Sequence, residues 1–252
     1  MDNKTTLVLG ASGATGKNLV AQLLILGQKV KVIIRPTAII PDAWKADDKV
    51  YIIRAEISKA SETEMADYLK DCHAVASCLG HNMTWKGIYG QPRKLVTNTV
   101  RLLCQAIEMK APENPVKLVL MNTAGNRNRE LSEPISIGEK LMTGIIRLLL
   151  PPHTDNESAA DYLSAYIGQT HSFIEWMVVR PDTLIDQAEV TEYTLHASPT
   201  RSALFNPGKT SRINVGHVMA KLIVDNNFWD MWKGQMPVIY NKEKIMKAKE
   251  SH

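Results

Sequence analysis

Apolar positions along this chain keep two rhythms, and the two alternate. Short runs of branched residues at 7–9, 29–36, 50–57, 74–79, 116–121 and 176–179 read as buried strands. Between them, Leu19, Val20, Leu23, Leu24 and Leu26 recur at helical spacing. So do Leu95, Thr99, Leu102, Leu103 and Ala106, a helix ended by Pro112 and Pro115. The polar stretch 61–70 reads as another helix. Such alternation predicts right-handed strand–helix–strand crossovers and a parallel sheet. The expected fold is α/β: a Rossmann-type doubly wound parallel sheet with a small C-terminal elaboration.

At residue 125 the rhythm breaks. Residues 126–130 are polar, and 137–150 place Leu141, Met142, Ile145, Ile146, Leu149 and Leu150 on an amphipathic helix closed by Pro151 and Pro152. That helix is expected to pack over the carboxyl edge of the sheet as part of a substrate pocket; too few basic residues flank it for a membrane-surface helix. Tyr162, Leu163, Tyr166 and Ile167 mark the next helix. Short strands are expected at 193–196, 211–214 and 236–240, with Asn214 capping a helix that carries Val218, Leu222 and Ile223. The charged tail from 242 is expected to fray. The chain thus reads as one domain over 1–252, with an insertion at about 125–156 and a substrate-side region at about 184–241.

Candidate chemistry begins where the first strand ends. Gly10, Gly13 and Gly16 punctuate a turn between strand and helix, and that context gives the spacing its meaning. Gly10 allows the sharp exit, Gly13 a close approach of a pyrophosphate, and Gly16 tight helix–strand packing. The opening amides of the helix, from Ala14 onward, lack internal partners and favour an anion. Ser12 and Thr15 add hydroxyls. Arg35 stands where an NAD site usually places an acid on the ribose 2′-hydroxyl. A guanidinium suits a 2′-phosphate, so NADP(H) is expected over NAD(H). Ile57 and Leu79 are placed to sandwich adenine, with Glu56 accepting from its amino group and Gly80 on the same edge.

Composition narrows the picture. The chain has 252 residues, 44% hydrophobic and 22% charged, with a net charge of +4, too small to argue for nucleic acid or an anionic membrane as partner. No apolar run is long enough to span a bilayer, and the polar start shows no secretory signal. Cys72, Cys78 and Cys104 fit no disulfide framework and suggest a reducing, cytoplasmic setting. A zinc site from Cys72, His73, Cys78 and His81 is not expected, because a strand turns neighbours to opposite faces, and no other metal site is read.

The pieces GASGATG at 10–16, Arg35, RAEIS at 54–58, MNTAG at 121–125, VVRPDTL at 178–184 and NVGHVMAKLIVD at 214–225 are spread over most of the chain. Together they resemble the atypical short-chain dehydrogenase/reductases, in the NAD(P)H-binding group that includes NmrA-like and biliverdin/flavin reductase-like proteins. The resemblance implies a dinucleotide across the sheet edge, with Thr123 and Pro181 near the nicotinamide and Asn122 also among the cofactor-binding residues. Catalytic members of that group carry Tyr-x-x-x-Lys; the corresponding positions here are His153 and Glu157. His153 is then the candidate general acid beside Thr123. A second pair, Tyr162 and Tyr166, has no lysine and reads as packing. Three functions follow. The first is an NADP(H)-dependent reductase of a small carbonyl, quinone or flavin-like compound, with Trp85, Tyr89 and the 137–150 helix as an apolar lid. The second is a non-catalytic NADP(H) redox sensor. The third, a nucleotide-sugar epimerase or dehydratase, normally needs the Tyr-Lys pair and a larger C-terminal domain. A monomer or homodimer acting on a small molecule is expected.

Overall fold

The computed structural model describes residues 4–81, 89–131, 133 and 136–242. Eight strands form one sheet in the order β3-β2-β1-β4-β5-β6-β10-β8. They are β1 (Thr5–Leu9), β2 (Lys29–Ile34), β3 (Val50–Arg54), β4 (Cys72–Ser77), β5 (Val116–Met121), β6 (Ile174–Pro181), β8 (Tyr193–His196) and β10 (Val238–Asn241). All neighbours pair in parallel except β10 and β8. The order reverses between β1 and β4, which creates a crevice at the carboxyl ends of those two strands. Outside the main sheet, β7 (Thr183–Ile185) pairs with β9 (Lys209–Ser211).

Strand alternation feeds two cores. Val8 and Val32 point to one face, with α1 (Ala14–Ile25), α7 (Arg212–Val224) and Trp229 of α8 (Asn226–Trp232). Leu7 and Leu9 point to the other, with α3 (Glu62–Tyr68), α4 (Leu95–Lys110) and α6 (Pro151–Tyr162). Full burial of such leucines and valines contributes roughly 1.5–3 kcal/mol each.

Several expected boundaries move, for local reasons. Ser211, not Asn214, caps α7: its hydroxyl accepts from Asn214 N, and the buried Asn214 side chain instead bonds Thr191 and Asn241. Pro151 does not lead into a loop but opens α6, since a first-turn proline forfeits no helical bond. His153 is therefore helical. Asp155 on α6 caps α4 from outside, accepting from Val96 N at 2.8 Å and Thr97 N at 2.9 Å. The short α2 (Asp42–Ala46) buries Trp44. The inserted helix α5 (Ile137–Leu149) forms as expected and turns Thr143 and Ile146 toward a cavity at the sheet edge, but Ile137, Leu141, Met142, Ile145 and Leu149 face outward.

Candidate functional site

Gly10 leaves β1 with φ +71°, and a Cβ there would lie 2.6 Å from the carbonyl oxygen of Cys78. A Cβ on Gly16 would lie 2.2 Å from the Gly10 carbonyl oxygen, so only glycine lets α1 start this close to β1. Gly13 is the N-cap and offers no capping side chain. The first bond of the helix runs from Lys17 N to Gly13 O, which leaves the amides of Ala14, Thr15 and Gly16 without intrahelical partners. Thr15 and Gly16 are buried in the turn; Ala14 is exposed.

A cleft of about 510 Å³ opens on this turn. Gly10, Ser12 and Gly13 form its floor, Arg35, Glu56 and Ile57 one end, and Leu79 and Gly80 its far side. Arg35 is exposed and makes no ion pair among the described residues. The turn after it is fixed by Arg54, whose Nη1 donates to Pro36 O at 2.8 Å. The Glu56 carboxylate is 2.7 Å from Lys59 Nζ. Gln91 and His81, the latter weighed from the sequence only as a zinc ligand, also line the cleft. The His81 ring lies 2.8 Å from the buried Asp155 carboxylate.

A second cavity, of about 260 Å³, lies further along the same edge and brings Thr123 and His153 together with Asp182 and Thr183. Thr143 and Ile146 of α5 roof it. Gly125 sits between the two candidates: a Cβ there would be 3.5 Å from His153 Cε1 and 3.7 Å from Thr123 Oγ1. Asn122 is buried and shapes the turn, accepting from Thr123 N at 2.9 Å and donating to Asn156 O at 2.8 Å. Pro181 is also buried and borders neither cavity; its carbonyl accepts from Ala124 N at 2.8 Å, and the next two residues reach the cavity instead. Burial pushes the Asp182 carboxyl above its usual range, although the amides of Gly208 and Thr183 pull the other way.

His153 Nε2 is buried, 3.5 Å from Glu157 Oε1. At that length the contact is not a well-made hydrogen bond, and Nε2 has no other partner among the described residues. The stronger partner of Glu157 is Arg147 on α5, which donates from Nε and Nη2 at 2.8 Å each. Burial alone would raise the Glu157 pKa, yet His153 and Arg147 together pull it down to about 2. Glu157, the residue expected at the family's lysine position, is thus a carboxylate clamped by a guanidinium.

Trp85 of the expected lid lies outside the described residues; Tyr89 donates its hydroxyl to Leu149 O at 2.9 Å. His73 contacts Thr5 O, His81 contacts Asp155, Cys72 Sγ faces Tyr68 O and Cys78 Sγ faces Met219 Sδ, so the four residues of the discounted zinc cluster turn to separate partners. No described helix is long and apolar enough to cross a membrane.

The NAD(P)H-binding family model matches residues 10–226. No curated protein matches the chain. Among solved structures, a short-chain dehydrogenase/reductase from Veillonella parvula in complex with NADP is 15% identical, with a TM-score of 0.67 and 94% of each chain covered. A proposed NADH-flavin reductase from Streptococcus pneumoniae is 15% identical with a TM-score of 0.65, covering 95% of this chain and all of its own. A proposed NAD-dependent epimerase/dehydratase from Bacillus halodurans is 16% identical with a TM-score of 0.69, covering 96% and 95%. At such identities the likeness shows the fold alone.

Proposed function

Because the chain belongs to the NAD(P)H-binding family, we propose that it is an NADP(H)-dependent oxidoreductase acting on a small carbonyl, quinone or flavin-like compound. The observation that carries the cofactor preference is Arg35: a guanidinium at the end of the cleft, open and without an ionic partner among the described residues, where a 2′-phosphate would sit. In this reading the amides at the start of α1 hold the pyrophosphate, Ile57 and Leu79 flank adenine, and the nicotinamide end reaches the second cavity. The bound nicotinamide supplies hydride chemistry. Thr123 orients the substrate oxygen, and His153 holds the proton for it. The insertion at about 125–156 and the region 184–241 enclose the substrate and exclude water.

Thermal-shift titration with NADPH, NADP, NADH and NAD tests this reading, since a ligand that binds only the folded form raises the melting temperature. NADP(H) should give the larger shift, and Arg35→Asp should narrow or reverse the preference. Equal shifts from all four dinucleotides in both proteins would remove the argument from Arg35. NADPH oxidation with a panel of quinones, flavins and aldehydes then tests turnover.

One observation favours a second reading, a redox sensor: Glu157, which the resemblance aligns with the usual lysine, is a carboxylate tied to Arg147. A sensor would bind one redox form of the dinucleotide far more tightly than the other and turn over no member of the panel.

A further inference from the structure

Helix α5 carries a ridge of Ile137, Leu141, Ile145 and Leu149, one residue every four, and the protein leaves it in solvent. Ile137 is 87% exposed, Leu141 69% and Leu149 54%, and Met142 and Ile145 beside them are also exposed. Phe205, 62% exposed, extends the patch: its ring lies 3.9 Å from where a Cβ on Gly138 would be. The helix is nonetheless firmly built. Ser136 and Glu139 form a full capping box, Arg147 is clamped to Glu157, and Leu149 O accepts from Tyr89. A well-formed helix with one bare apolar ridge is an interface in waiting.

We propose that this ridge packs against the same ridge of a second copy of the chain, forming a two-fold symmetric homodimer. Three observations choose that occupant. A row at i, i+4, i+8 and i+12 is the ridge that interdigitates with its own copy, and Gly138 and Gly144 leave room in the grooves beside it; a Cβ on Gly144 would meet nothing within 4 Å. The exposed apolar side chains together offer on the order of 700 Å², close to the ~800 Å² per partner of a standard interface. Charge lends a lipid surface little: Arg147 is held by Glu157, which leaves Lys140 as the exposed cation of α5, and a single lysine supplies little of the cationic attraction that interfacial helices rely on. The opposite face of α5 supplies Thr143 and Ile146 to the second cavity, so the dimer would fix the roof over Thr123 and His153. The inference stands whether or not the proposed reductase reading does.

Sedimentation equilibrium of the full chain at tens of micromolar tests it. The expected mass is twice 28.1 kDa, falling to 28.1 kDa in Leu141→Arg. Leu141 is exposed within one copy, so the variant should keep the wild-type circular dichroism spectrum and the same melting-temperature rise with NADPH. Those two readouts separate loss of the dimer from loss of the fold or of dinucleotide binding. A wild-type mass of 28.1 kDa would overturn the proposal. So would a dimer that survives Leu141→Arg, or a monomer that floats with phosphatidylcholine/phosphatidylglycerol vesicles.

Discussion

A methyl group on Gly16 would sit 2.2 Å from one backbone atom and 2.8 Å from two others, none of which can swing aside. Gly16→Ala should therefore cost at least about 3 kcal/mol and abolish the NADPH-dependent melting shift, read by urea unfolding and thermal titration. Glu157 makes the second prediction at this scale. Its folded pKa of about 2 lies below the usual 4.5, so its contribution is present above about pH 4.5 and fades as pH falls toward 2. Arg147 is partly exposed and screened, which reduces the expected worth of the pair to about 2 kcal/mol at pH 7. Urea unfolding of wild type and Glu157→Gln should differ by about that much at pH 7 and converge near pH 2. An equal gap at both values would refute the linkage. At this scale the sequence disclosed residues whose chemistry depends on near neighbours: the three glycines and Arg35. It did not mark Gln91, Asp182 or Thr183 as cavity residues, and it weighed His81 only as a zinc ligand. The His81 ring acquires its place through Asp155, 74 positions away, and no local spacing announces such a pair.

Most secondary elements were readable from their pattern of apolar and polar residues, including the short strand β8 and the helix α3, a polar stretch between two strands, whereas α2 and α8 were not. Helices α2 and α8 span five and seven residues, too few turns to show a period. The outward face of α5 escaped notice for a different reason: an amphipathic pattern says that a helix has an apolar side, not which neighbour covers it. Capping across the fold was equally invisible. Asp155 uses both carboxylate oxygens, one for Thr97 N and one shared by Val96 N and His81 Nε2, while its backbone oxygen accepts from Thr97 Oγ1. An asparagine keeps one acceptor and turns a donor toward an amide, Val96 N or Thr97 N, that itself donates. Asp155→Asn should therefore lower stability by about 1–3 kcal/mol, and Asp155→Ala by more, since it leaves buried amides unpaired. Hydrogen exchange at the start of α4 should speed up in both variants. An unchanged exchange rate at Val96 and Thr97 would show that Asp155 does not hold that helix end.

The whole molecule is arranged by the reversal of strand order between β1 and β4, which sets the larger cleft at one half of the carboxyl edge and the smaller cavity at the other. Alternating strand and helix patterns made the parallel sheet legible, because each crossover is a local event. The antiparallel β8 and the small β7–β9 sheet were harder, because their pairing joins segments whose short patterns specify no neighbour. This layout makes a prediction about ligand fragments. A dinucleotide that crosses the edge must contact both halves at once, whereas adenosine 2′,5′-bisphosphate can reach only the cleft with Arg35. Hydrogen exchange with the bisphosphate should thus protect the turn at 10–16 and the end of β2. The loop 122–126 and residues 182–183 should stay as they are in the free protein. NADP should protect all of these segments. If NADP protected the first set alone, the nicotinamide would not reach Thr123 and His153, and the second cavity could not be where hydride and proton meet.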